Sequence, residues 1–189
     1  MNSAATTLQR QFRELNRRPI PGFRISLAED NVFEWKVGII GPPETIYQGG
    51  YFLATIKFPQ DYPFMPPTFC FDSEFYHPNV FRNGNLCISI LHPPGDDPMS
   101  GEKAEERWNP TQSVESILLS IISLINDPNC SSPANVDAGV MYRNNPDEYK
   151  AIVRRQVEAS KKDIPEDLDV SGNEFKVKPP EKVEEDDSF

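Results

Sequence analysis

The chain lacks any apolar run long enough to cross a bilayer. The longest, Ile117 to Ile125, is broken by Ser120 and Ser123, well short of the ~20 residues a spanning helix needs. Residues 1–7 have neither the basic nor the apolar region of a secretory signal, so the protein is expected to stay inside the cell. Cations are scarce: 19 Lys and Arg face 29 Asp and Glu, a formal charge of −10. Nucleic-acid binders rely on clustered cations that release counterions, so that class is excluded. Histidine occurs only twice and cysteine only three times, at Cys70, Cys87 and Cys130 with no C-x-x-C pair. That spacing argues against a zinc site, and an odd cysteine number without a signal fits a reducing compartment. No internal repeat of 20–50 residues is found.

Aromatic residues and proline are abundant by contrast. The 189 residues include 12 Phe and 19 Pro, too aromatic for a disordered chain and enough for one sizeable core. The prolines fall between apolar stretches and divide the chain into short strands. Leu8, Phe12 and Leu15 recur at helical spacing, predicting an N-terminal helix with Arg10, Arg13 and Arg17 on its polar side. Phe23–Leu27, Val32–Ile40, Tyr51–Phe58 and Thr68–Phe71 read as four antiparallel strands in a meander. Residues 72–111 show little periodicity, and an irregular stretch of that length usually carries function. Ser113 reads as the N-cap of a central helix through about Ile125, apolar on nearly every side. Shorter helices are expected around 135–143 and, behind an Asn145 cap and Pro146, through about Ala159. The fold class is α+β: a four-stranded meander flanked by N-terminal, central and C-terminal helices. Residues 1–162 are expected to form the core and 163–189 an acidic, mostly disordered tail, because Pro, Lys, Glu and Asp dominate there. The charge is polarised, with five Arg against one Glu in residues 1–24 and ten acids against five Lys in 161–189. Such a dipole suggests protein partners.

The informative segment is His77-Pro78-Asn79, a seven-residue gap, Cys87 within Leu86-Cys87-Ile88, then Trp108-Asn109-Pro110. With Gly41-Pro42-Pro43, Gly49-Gly50-Tyr51-Phe52 and the proline-rich run from Phe58 to Pro67, the chain over about residues 5–160 resembles the ubiquitin-conjugating enzymes. Trp108 lies further beyond Cys87 than in a typical member, which matches the subgroup with an insertion here, at about 92–107. The insertion is acidic, with Asp96, Asp97, Glu102, Glu105 and Glu106. It is most similar to the cell-division-cycle branch that serves cullin-RING ligases; the branch acting in degradation at the endoplasmic reticulum is the alternative.

The resemblance implies that Cys87 accepts ubiquitin as a thioester from an activating enzyme and passes it to lysines of substrates or ubiquitin with a RING-type ligase. It implies no cofactor of its own, no metal and no membrane span, and a cytoplasmic or nuclear setting. A thiolate nucleophile suits that exchange. The Asn79 amide is placed to stabilise the oxyanion of lysine attack, or else to cap its loop. His77 is given a supporting, structural role. Ser132 occupies a position where relatives often carry an acid. Asp96, Asp97, Glu102 and Glu106 are therefore read either as its replacement in orienting the incoming lysine or as a solvated surface. Phe64 and Pro110 match positions that dock a ligase, and Arg10 and Arg13 offer a face to an activating enzyme or ligase. Leu119 and Ser123 match contacts for the donor ubiquitin, although periodicity alone puts Leu119 in the core. Cys70, between Phe69 and Phe71, reads as a small core hydrophobe, and Cys130 as incidental. Two other classes compete: an inactive ubiquitin-binding module, which Cys87 argues against, and a cysteine hydrolase built on Cys87 and His77.

Overall fold

The computed structural model describes residues 2–170 and the backbone of 176–177. Four strands, β1 (Phe23–Ala28), β2 (Asn31–Ile40), β3 (Tyr51–Lys57) and β4 (Thr68–Phe71), form one antiparallel sheet in the order β1-β2-β3-β4. The register pairs Ile25 with Val37, Val37 with Ala54 and Ala54 with Phe71. Every second residue of a strand faces the same way, so Trp35, Val37 and Ile39 share an inner face with Phe52, Ala54, Ile56, Phe69 and Phe71, all buried. The hairpin joining β1 to β2 turns through Glu29 and Asp30 at positive φ.

Four helices flank the sheet: α1 (Ser3–Arg17), α2 (Val114–Asn126) and α4 (Pro146–Ser160) share the core of its inner face, and α3 (Val136–Asn144) packs on α4. In α1 the Asn2 side chain accepts from the Ala4 N–H, and Leu8 and Leu15 enter the core. Phe12 meets Trp35 edge-on, with ring centroids 5.2 Å apart. Ser113 and Ser116 cap α2 reciprocally, as the Ser113 reading anticipates. Ile117, Leu118, Ile121 and Ile125 fill the core, but Leu119 is 52% exposed. The core placement that periodicity alone gives Leu119 is therefore corrected: with Ser123 it lies on an outward edge of α2. Asn145 also departs from expectation, since its side chain makes no cap hydrogen bond and Pro146 alone opens α4.

The outer face of the sheet is partly covered. After α4 a 3₁₀ turn (Lys161–Asp163) leads into β5 (Leu168–Asp169), which pairs with β6 (Lys176–Val177). Leu168 is buried with Ile40 and Tyr51, flanked by Leu53, Ile164 and Val170. Arg24 donates to both carboxylate oxygens of Asp167, at 2.9 and 2.6 Å. Gly38 is required beneath this cover, because a Cβ there would fall 1.8 Å from the Tyr51 hydroxyl. The tail expected from residue 163 thus begins with a segment in which Ile164, Leu168 and Val170 pack on the sheet; 171–175 and 178–189 lie outside the described residues. Cys70 is corrected as well. It pairs with Thr55 on the outer face, opposite Phe69 and Phe71, and is only half-buried.

Apolar burial rather than the surface ion pair should hold this strap. Leu168→Ala is expected to cost about 2 kcal/mol and Asp167→Ala less than about 1 kcal/mol, compared by urea denaturation.

Candidate active site

Residues 72–111 carry few regular hydrogen-bonded elements, so their backbone is anchored by side chains and isolated bridges. The Phe71 ring stacks on Phe75 at 4.2 Å, and Phe75 in turn lies 6.0 Å from the His77 ring. His77 is 1% exposed. Its Nδ1 accepts the Asn79 N–H at 3.0 Å, and its Nε2 lies 3.0 Å from the Leu124 carbonyl near the end of α2. A carbonyl only accepts, so Nε2 carries the hydrogen and the ring is neutral. Burial pushes its pKa down to about 4, against the opposing pull of the Leu124 carbonyl. With both nitrogens engaged, His77 cannot act as a base on Cys87. The hydrolase pairing of those two residues is therefore excluded, and its structural reading describes what the ring does.

Asn79 is closed onto the loop after α2. Its Nδ2 donates to the Asn129 carbonyl and its Oδ1 accepts the Asn129 N–H, both at 2.8 Å. An amide nitrogen has two hydrogens, so one remains for another acceptor. The Asn79 carbonyl accepts the Cys87 N–H at 2.9 Å. On the other side Leu86 donates to the Phe69 carbonyl and Phe71 to that of Gly84, at 2.9 and 2.8 Å. Gly84 sits at φ +93°, where a Cβ would approach the Phe71 carbonyl to 2.2 Å. Cys87 is thus pinned by backbone on both flanks, while its side chain stays half-buried. Burial raises the Cys87 thiol pKa, and the Glu102 carboxylate raises it further.

His92 stands beside the sulfur. Its Nε2 is 3.7 Å from Cys87 Sγ, and its Nδ1 is 2.8 and 2.9 Å from the two oxygens of Glu102. The Ser89 hydroxyl also donates to Glu102, at 3.1 Å, and Arg107 Nη1 lies 3.7 Å from it. His92 is held in place by its carbonyl, which accepts the Trp108 N–H at 3.0 Å. Sequence reasoning missed His92 because the motif drew attention to His77. The available signal was a second histidine five residues after the cysteine, at the mouth of an acidic insertion.

The four acidic-loop candidates separate. Glu102 turns inward onto His92. Asp97 accepts from the Met99 N–H at 3.1 Å and Glu106 from the Lys103 N–H at 3.0 Å, each organising a loop turn. Asp96 is exposed. Arg107 ties the loop's ends, donating to the Pro93 carbonyl at 2.9 Å. Ser132 is exposed on the loop before α3, and Arg10 and Arg13 are exposed on α1. Phe64 is 66% exposed, on a loop that Trp108 steadies by donating from Nε1 to the Pro63 carbonyl at 2.8 Å. Pro110, two residues after Trp108, is exposed too. Among the described residues no three metal-ligating side chains cluster, and no helix is long and apolar enough to cross a membrane.

A half-exposed thiol fixed by backbone at the rim of an acidic loop, on an open four-stranded meander with four helices, matches one class of enzyme. The family model described as "Ubiquitin-conjugating enzyme" covers residues 7–157. The chain is 53% identical over 168 residues to ubiquitin-conjugating enzyme E2-34 kDa of Saccharomyces cerevisiae, covering 87% of this chain and 57% of that protein. It therefore spans a little over half of the yeast enzyme's length. It is also 53% identical to ubiquitin-conjugating enzyme E2 15 of Schizosaccharomyces pombe, over 81% of this chain and 92% of that one. The same identity is found with ubiquitin-conjugating enzyme E2 13 of Arabidopsis thaliana, over 85% and 98%. The chain belongs to the ubiquitin-conjugating enzymes.

Neutral burial of His77 has a pH signature. Its folded pKa lies below the ordinary value near 6.5, so its contribution is complete above about pH 6.5 and is lost as pH falls towards about 4. Denaturation midpoints across that window should fall, by up to about 3 kcal/mol of stability. His77→Gln, though less stable throughout, should lose that part of the slope.

Proposed function

We propose that Cys87 accepts ubiquitin as a thioester from an activating enzyme and transfers it to lysines of substrates or of ubiquitin, building chains with a RING-type ligase. The observation that carries this reading is the half-exposed Cys87 thiol, clamped through Asn79 and Gly84. Thioester exchange needs no strongly activated nucleophile, which is compatible with a raised thiol pKa. Asn79 contributes twice in this proposal: its bonds to Asn129 hold the loop, and its remaining N–H faces the oxyanion of lysine attack. Exposed Leu119 and Ser123 on α2 form the contact for donor ubiquitin. Phe64 and Pro110, framed by prolines and steadied through Trp108, dock the ligase. Arg10 and Arg13 face an acidic surface of the activating enzyme or ligase. Ser132 supplies no anion near the acceptor lysine; the acidic loop takes that task, Glu102 being the turned-in member.

The cullin-RING branch is preferred for the acidic loop and the acid-rich residues beyond 160, with endoplasmic-reticulum degradation as the alternative. A pull-down comparing the two ligase classes decides between them. Cytoplasm and nucleus are the proposed setting, and no cofactor is invoked.

Incubation with activating enzyme, ATP and ubiquitin should give a reductant-sensitive adduct, and Cys87→Ser a reductant-resistant oxygen ester. Cleavage of preformed chains with no adduct would favour a hydrolase, and non-covalent binding alone an inactive module. Phe64→Ala should spare loading and weaken ligase binding by about 2 kcal/mol, roughly 30-fold, by calorimetry.

A further inference from the structure

Cys87, His92 and Glu102 stand in the order of a nucleophile, a base and a group that orients the base. The sequence's other histidine, His77, is sealed in the core with both ring nitrogens engaged. We propose that His92 is a proton shuttle for ubiquitin transfer, taking a proton from the attacking lysine amine and returning it to Cys87 Sγ, with Glu102 as its positioning residue. This rests on the reading of Cys87 as the ubiquitin acceptor.

In this step the neutral amine attacks the thioester carbonyl carbon and the C–N bond forms. The attacking nitrogen becomes acidic as it gains positive charge, and neutral His92 Nε2 accepts its proton. The tetrahedral adduct then collapses, the C–S bond breaks, and the sulfur leaves with the electron pair. His92 Nε2 gives the proton to that sulfur, restoring a neutral imidazole and a thiol beside an isopeptide bond. No outside oxidant or co-reactant is required.

The geometry suits both halves. Nε2 sits 3.7 Å from the sulfur, so a nucleophile approaching a carbonyl bonded to that sulfur passes within reach of the same nitrogen. Glu102 meets Nδ1 with both oxygens, leaving Nε2 to face the sulfur and stabilising the imidazolium formed midway. The charged and titratable groups around the ring are Cys87 in front, Glu102 behind, and Arg107 beyond Glu102 at 3.7 Å. Ser89 and the Trp108 backbone complete the cradle. The raised thiol pKa makes Cys87 a basic leaving group, which gains from receiving a proton as it departs. Glu102 thus serves the acceptor lysine through the His92 ring. This assigns Glu102 a task distinct from those of Asp97 and Glu106, which are engaged in turns.

The test is single-turnover discharge of the preloaded full chain to free lysine between pH 6 and 9, each rate taken from decay of thioester already formed. His92→Gln should discharge more slowly by roughly 10²-fold at neutral pH, and should lose an acid limb that the parent's pH profile shows. Glu102→Gln should give an intermediate rate, and the double variant should be no slower than His92→Gln alone. Equal rates for His92→Gln and parent, or a slower variant whose pH profile keeps the parental shape, would overturn the proposal. If His92→Gln does not fold, Glu102→Gln decides, and a parental rate there overturns it. A parent chain that takes no ubiquitin on Cys87 would instead sink the acceptor reading beneath it.

Discussion

Holding a reactive thiol at a fixed place on an irregular segment requires every nearby backbone polar group to find a partner without a helix or ladder to supply one. His77 meets that requirement. Its neutral ring bridges the Asn79 N–H and the Leu124 carbonyl, joining the segment to the end of α2. Asn79 then closes onto Asn129 through its amide and holds the Cys87 N–H through its carbonyl. Two buried polar side chains thereby transmit the position of a core helix to a cysteine at the surface. Protonating that ring in place would bury a charge, so the neutral form is part of the fold itself.

The insertion follows a related logic with opposite charges. Arg107, largely covered, gathers the Pro93 carbonyl, Glu102 and Asp97, so that the two ends of the loop converge beside His92. Trp108 then closes that loop through its backbone to His92 and links it through its indole to the loop of Pro63. One buried aromatic residue therefore connects the ring beside the sulfur with the exposed Phe64 loop.

Most of the fold was legible because local signals agreed with one another. Alternation marked the four strands, and Ser113 marked the start of α2 by a capping pair that forms as read. The exposure of Leu119 is masked by its own apolarity, although Glu115 and Ser123, four residues to either side, mark the same outward edge. Cys70 was misread since its aromatic neighbours Phe69 and Phe71 face the other side of the sheet. The strap on the outer face escaped notice because Ile164, Leu168 and Val170 are scattered among acids, a composition that reads as disorder. His92 was missed for a different reason. Its partner Glu102 lies ten residues away in an insertion without periodicity, and only the loop's closure through Arg107 brings the two together.

The central claim is that this arrangement exists to carry ubiquitin on one sulfur. The most direct measurement is site mapping by mass spectrometry of the wild-type chain after reaction with activating enzyme, ATP and ubiquitin, digested without reductant. A single ubiquitin carboxyl terminus should be found joined to Cys87, removed by reductant, with Cys70 and Cys130 unmodified. An adduct on Cys70 or Cys130, or none on any cysteine, would contradict it.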